Sequence, residues 1–430
     1  MSGENRQAPD PEETPMTTEA PAAEPPRARA VWLDRRTPPH VATLVLLSGV
    51  PALNMNMMVP SLPSIARDLG AEYGVVALSI SAYLALTAVL QVAIGPLSDR
   101  YGRRPVVLVS FAVFLVATIG CALAPTIESL LAFRLLQTAI ASGLVLSRAI
   151  VRDMVPMERA ASMIGYVTMG MSVAPMIGPM AGGFLDEFFG WRSVFVATFA
   201  VGVIGAALVW FDLGETNETP SESFAAQFRS YPDLARSSRF WGYAATATFA
   251  SGTFFAFLGG APWVATEVLG MAPAELGFYF GIIAVGYMLG NFLSGRYAAR
   301  IGLNGMMLWG GIVSVAGPLL AAVFYLSGWL TPATFFGSVF FVGIGNGLTL
   351  PSANAGIVSV RPELAGSASG LGGALMIGGG AAVAAMTGAL LGPGSGGAPL
   401  IWTMLGAALL GLCATLWVMA VARSRGPIGA

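Results

Sequence analysis

Twelve apolar stretches of about twenty residues, each long enough to cross the hydrocarbon of a bilayer, dominate this sequence. They lie near 41–60, 75–97, 105–124, 128–150, 161–184 and 193–213, then near 240–264, 274–298, 303–326, 332–357, 366–391 and 398–421. The chain has no means of covering them in water. Only 10% of its residues are charged and 55% are hydrophobic, where a soluble domain carries about a quarter charged. The 54 glycines and 28 prolines agree, since both are commoner in membrane helices than in soluble ones. The sequence therefore reads as an all-α integral membrane protein with twelve transmembrane helices.

A more polar segment, 214–239, divides the spans six and six, which gives two pseudo-symmetric bundles at 39–213 and 240–421. Residues 1–38 and 422–430 remain as tails. The opening "MSGENRQAPDPEETPMTTEAPAAEPP" has too few bulky apolar groups to offset its chain entropy, so disorder is expected there. No secretory signal is expected, because the apolar run begins only near Val41 and no small-residue cleavage site follows.

Arginine placement tests the count. With both termini on one side, the tails and even loops hold nearly every arginine outside the spans. Arg67 and Arg192 fall opposite, and Arg134 and Arg148 lie inside the fourth span. This bias places the termini and the 214–239 loop in the cytoplasm. The apparent glycosylation site at Asn217 is then a chance match. Internal repetition is a second test: "GPLSDRYG" follows the second span and "GRYAARIG" the eighth, so Gly95, Arg100 and Gly102 recur as Gly295, Arg300 and Gly302. Duplicated six-span halves are a common plan for secondary transporters.

Several classes are excluded. A net charge of −1 gives no reason to expect nucleic acid. Cys121 and Cys413 sit in apolar stretches and read as packers, and one histidine, His40, cannot build a metal site alone. No metal or cofactor is expected, and no GxxxxGK[ST] motif supports ATP-driven pumping. An enzyme would need catalytic His, Cys or carboxylate groups within the spans, which the sequence nearly lacks.

The stretch "GPLSDRYGRRPVVL", Gly95 to Leu108, packs Asp99, Arg100, Arg103 and Arg104 into one turn. Gly95 is expected to let another backbone approach and Gly102 to permit the reversal. Asp99, Arg103 and Arg104, with Arg148, Arg152 and Asp153 from the end of the fourth span, form a candidate latch between the two halves. This stretch resembles the loop motif of the major facilitator superfamily. "PSLPSIARDL" (Pro60–Leu69) is similar to the first span's end in drug–proton antiporters. "RLLQTAIASGLVLSRAIVRDMV" (Arg134–Val155), "APMIGPMAGG" (Ala174–Gly183) and "FFAFLGGAPWVATEVLG" resemble the bicyclomycin/chloramphenicol-resistance (Bcr/CflA) branch. The resemblance covers about residues 40–420.

Arg134 lies about two turns into the fourth span, roughly 9 Å deep, and a charge at depth marks a functional site by default. The resemblance gives it the position of an arginine linked to proton coupling. It also gives the fifth span, with Gly170, Pro175, Gly178, Pro179, Gly182 and Gly183, the place of the exporters' motif helix. One departure stands out: Asn56 occupies a place where many relatives carry an aspartate. Glu128, Asp186, Glu187, Asp212 and Glu267 all fall near span ends, and Glu267 is the candidate proton-coupling partner of Arg134.

The substrate site is expected near the midplane between the halves. Its candidates are Asn54, Asn56, Tyr83, Gln91, Gln137, Met169, Met171, Phe254, Phe255, Phe257, Tyr279, Tyr287, Asn291 and Asn346, polarisable or polar groups suited to varied amphipathic compounds. The expectation is a monomeric exporter of hydrophobic or amphipathic small molecules across a bacterial inner membrane, driven by protons through alternating access. The alternative is a narrow carrier for a metabolite such as an amino acid or organic acid.

Overall fold

The computed structural model describes residues 31–154, 177–217, 231–361 and 365–425, with Met163, Val167 and Ala174. Among the described residues every regular element is a helix: α1 (Val41–Met57), α2 (Leu62–Asp68), α3 (Tyr73–Tyr101), α4 (Arg103–Leu123), α5 (Ile127–Leu136), α6 (Ser142–Met154), α7 (177–189) and α8 (Arg192–Asp212). Then follow the short α9 (Tyr231–Ala235), α10 (Ser238–Trp263), α11 (Pro273–Ile301), α12 (Leu303–Leu326), α13 (Pro332–Ser359), α14 (Ala365–Leu390) and α15 (Ala398–Arg425). Eleven spans among the described residues are long and apolar enough to cross a membrane. The remaining expected span, 161–184, lies mostly outside the described residues, and its described end is the start of α7. This is a multi-pass membrane protein.

Local chemistry sets where the spans break. The first span stops short of its expected end because Pro60 and Pro63 lack the N–H a continuous helix would need. A 3₁₀ turn at Val59–Ser61 and the separate α2 result. The fourth span is interrupted by a 3₁₀ segment at Gln137–Ala141, one turn past Arg134, where such segments often mark a functional strain point. The seventh ends in a π-turn, Val264–Val268.

The duplication seen in the sequence has a geometric counterpart. Gly102 ends α3 at φ +93° and Gly302 ends α11 at φ +79°, each donating its N–H four residues back, to Ser98 and Ala298. Such φ values suit glycine alone at low cost. Gly95 departs from expectation: a Cβ there would meet nothing within 4 Å, so it makes no close backbone approach.

Buried apolar residues show how the halves sit. One cluster, including Leu44, Val107, Phe114 and Val209, belongs wholly to the first half; another, including Phe240, Met307, Ile357 and Val418, belongs to the second. The largest joins them, with Met58, Leu62 and Ile80 of the first half in one buried cluster with Phe257, Leu258 and Phe335 of the second. It lies toward the ends of α1 and α10 remote from the Gly102 and Gly302 turns. On that joined face the Tyr73 hydroxyl donates to the Gly259 carbonyl at 2.7 Å, and the Ala274 N–H donates to Glu187 Oε2 at 3.0 Å. Along α3 and α14 the contact runs from Gly74 beside Gly388 to Gln91 beside Gly373; beyond it, Gly95 and Gly370 face open space. Among the described residues the halves are thus closed on one face and parted toward the face that carries the glycine turns.

Close approach on the joined face depends on missing side chains. A Cβ on Gly183 would strike the Pro273 carbonyl of the other half, and one on Gly277 would lie 2.5 Å from the Pro179 carbonyl. Gly183→Leu is expected to wedge this face open. Spin labels on Glu72 and Pro393, in a background without native cysteines, should then report a distance longer by several ångströms. An unchanged distribution would show that the seam does not depend on this contact.

Candidate functional site

The Arg134 guanidinium is 1% exposed and stands inside the first half. Four helices supply what it needs. Nη1 donates to Asn54 Oδ1 at 3.0 Å and to Gln137 Oε1 at 2.7 Å; Nη2 donates to the Asn54 carbonyl and Nε to the Ser79 carbonyl, both at 3.3 Å. The ring of Tyr83 lies under the guanidinium carbon at 4.4 Å, a cation–π contact worth about 2 kcal/mol when desolvated. Gln137 Nε2 in turn donates to Thr118 Oγ1 at 2.7 Å, and Asn54 Nδ2 to the Tyr83 hydroxyl at 3.3 Å. Every oxygen bound to Arg134 here is neutral. Among the described residues no carboxylate lies within ion-pair distance of it.

The expected site residues divide by environment. Asn54, Tyr83 and Gln137 converge on Arg134. Asn56 is buried beside α7, donating to the Ala52 carbonyl at 2.7 Å while its Oδ1 has no partner. Gln91 is half-buried and faces Gly373 across the seam. Phe254, Tyr279, Tyr287 and Asn291 are half-buried. Phe255 packs on Gly380. Phe257 is enclosed by Phe280, Phe335 and Phe336, which makes it interior packing of the second half rather than a lining group. Asn346 is buried with Oδ1 unpartnered. Met169, Gly170, Met171 and Pro175 lie outside the described residues. Glu267 is exposed in the π-turn and takes no part in the Arg134 network.

On the parted face, Arg103 pairs with Asp99 on its own turn and with Asp153 at 3.1 Å. These ties run within the first half, so in this conformation they do not latch the halves together. Arg104 donates to the Trp210 carbonyl at 3.2 Å and lies over that indole. Arg100 stacks on Tyr101, Arg148 is exposed, and the Arg152 side chain lies outside the description.

Sequence reading missed Glu215. Its Oε1 accepts from the N–H groups of Arg103, Thr216 and Asn217 at 2.8–3.1 Å, and its Oε2 from Arg104 N–H at 3.2 Å. Gly102 has no side chain to cap α4, so a carboxylate more than a hundred residues on does so. Asp212 likewise accepts from Leu33 N–H, His40 N–H and Thr43 Oγ1, fixing the start of α1. A search for an acid just after the sixth span, able to return to the helix start at Arg103, would have been the only sequence signal.

α7 carries two useful faces. Gly178 and Gly182 lie on Asn56 and Met57 of α1, while Pro179 and Gly183 meet Gly277 and Pro273 of the second half. One turn on, the same spacing puts Asp186 toward α1 and α2, faced by Ser61, Ser64 and Arg67, and Glu187 on the second half. Asp186 is 7% exposed and its Oδ2 has no hydrogen-bond partner.

The Major Facilitator Superfamily model matches residues 44–385 of this chain. The chain belongs to the major facilitator superfamily. It is 34% identical to an uncharacterized MFS-type transporter, YdgK, of Bacillus subtilis, covering 76% of this chain and 83% of that one. It is 26% identical to a bicyclomycin resistance protein homolog of Haemophilus influenzae, covering 88% and 94%. Its fold is similar to that of a bacterial homologue of the human lysosomal transporter Spinster, with a TM-score of 0.67 at 19% identity over 89% of this chain and 96% of that one. The superfamily explains the paired bundles and the repeated glycine turn.

Replacing Glu215 by alanine removes the side-chain acceptor at the start of α4 and is expected to cost about 1 kcal/mol, as for other lost helix caps. Thermal unfolding of the purified chain should show a lower midpoint. A midpoint equal to the native one would mean that water replaces the carboxylate without loss.

Proposed function

We propose that this chain exports hydrophobic or amphipathic small molecules from a bacterial cytoplasm, exchanging them for protons by alternating access. The arginine-rich face and both termini lie in the cytoplasm of this reading, in keeping with the positive-inside bias. The parted face then opens inward, where a drug would enter from the cytoplasm or inner leaflet. The relative named for bicyclomycin resistance supports the substrate class, and the exporter-type sequence motif at Ala174–Gly183 supports the direction.

The observation that carries the proposal is the buried Arg134. A guanidinium held at depth without a carboxylate is costly and is retained for work rather than for stability. Arginine does not release its proton in proteins, so Arg134 serves by fixing the field and the shape of the site, and the proton must ride on another group. Asp186 is the carboxylate this reading favours over Glu267. It is buried with one oxygen unpartnered on the face where the halves join, whereas Glu267 is exposed. Protonation eases the burial of Asp186 against α1 and α2, because a buried charge must otherwise give up water, and so steadies α7 where its other face meets the second half. Acid outside would therefore favour the state open to the cytoplasm.

Proton flux driven by an uncharged phenicol drug in inverted vesicles tests both roles. Arg134→Ala is expected to abolish the flux, while Asp186→Asn should leave drug movement but remove its dependence on the proton gradient. Normal flux in Arg134→Ala would remove that residue from the mechanism. Unaltered gradient dependence in Asp186→Asn would return the proton to another acid. No drug flux at all, with saturable movement of one metabolite instead, would favour a narrow carrier.

A further inference from the structure

We infer that the transport pathway of this chain admits neutral and anionic amphipathic compounds and rejects permanent organic cations, because the membrane interior holds the fixed charge of Arg134 with no carboxylate to balance it. The inference rests on the exporter reading above and narrows its substrate class.

The argument begins with where charge falls. In the eleven described spans the carboxylates are Asp68, Asp99, Glu128, Asp212, Glu267 and Glu275, and each lies in the first or last three residues of its span. The remaining stretch, 161–184, contains none. Asp186 and Glu187 follow in the last turn of α7, at the joined face. Among the described residues the buried charged side chains are Arg103, Arg134, Asp186 and Asp212, and Arg134 alone stands remote from a helix end on the membrane surface. Its acceptors are the side-chain and backbone oxygens of Asn54, the Gln137 amide and the Ser79 carbonyl, which solvate the charge without cancelling it. Asn56, two residues from Asn54, offers an amide where a carboxylate would restore neutrality.

A bilayer interior screens such a charge weakly, so its field reaches neighbouring groups that water would shield. A permanent cation entering between the halves meets like charge at the depth of Arg134 and finds no acid there to pair with, since the carboxylates stand at the span ends. A neutral compound pays no such cost, and an anion is attracted. Shape cannot mimic this preference, because it depends only on the sign of the charge.

Tetraphenylphosphonium and tetraphenylborate have nearly the same size and shape and opposite charge, so their binding to the purified full-length chain in non-ionic detergent isolates the sign. The native chain is expected to bind tetraphenylborate at least about tenfold more tightly. Asn54→Asp places a carboxylate where an amide oxygen now accepts from Arg134 at 3.0 Å, and should erase that gap by pairing the guanidinium. Should that variant fail to fold, Gln91→Glu, half-buried at the seam, is expected to narrow the gap in the same direction. Equal binding of the two ions by the native chain would overturn the inference. So would a gap that a folded Asn54→Asp or Gln91→Glu leaves unchanged, or failure of the native chain to bind either ion. The exporter reading is judged separately by flux of the uncharged phenicol: its absence, beside a charge preference that responds to Asn54→Asp, would sink the export role and keep the charge rule.

Discussion

A guanidinium shut away from water, with neutral oxygens on its edges and an aromatic ring against its face, is the constraint around which the first half is organised. Burying such a charge without fully bonding it would cost several kcal/mol. The protein meets the demand from four directions: Asn54 on α1, Ser79 and Tyr83 on α3, Thr118 on α4 through Gln137, and the 3₁₀ turn that follows Arg134 itself. These helices cannot shift independently without orphaning a donor. The network thereby ties α1, α3, α4 and α5 to one another around Arg134.

The second requirement is a seam that can open. On the joined face, backbone meets backbone at Gly183, Gly277 and Gly74, and few polar bonds cross between the halves. Small residues give dispersion contact over a broad area without interlocking side chains. Toward the glycine turns the halves separate and each keeps its own apolar core. Near that face Asp99 and Asp153 pair with Arg103, while Glu215 and Asp212 tie together the segments that enter and leave the first half.

Much of the architecture was legible because the bilayer imposes a length and a sign. Spans of about twenty apolar residues and arginines gathered to one side follow from solvent alone, and the Gly102 and Gly302 turns follow from the conformational freedom of glycine. Arg134 could be singled out because a lone charge in an apolar run is conspicuous. Gln137, one turn on, shares its helix face and could be paired with it, but its other partners could not. Asn54 and Tyr83 come from other helices, and two of its acceptors are backbone carbonyls, which no side-chain pattern reveals. The same limit hid Glu215, whose cap spans more than a hundred residues of chain. It also misjudged Gly95, which faces open space, and Phe257, which is enclosed by other rings. Glu267 looked promising as an acid near a span, yet only three-dimensional placement shows it exposed and Asp186 buried.

The central claim is that Arg134 remains charged and is held by neutral groups alone. Solid-state NMR on the chain in lipid, with ¹⁵N in the arginine guanidinium and ¹³C in side-chain carbonyls and aromatic rings, measures this directly. The account predicts a protonated guanidinium signal with through-space correlations to the Asn54 and Gln137 amide carbonyls and to the Tyr83 ring. A correlation from Arg134 to an aspartate or glutamate carboxylate, or the signal of a neutral guanidine, would contradict it.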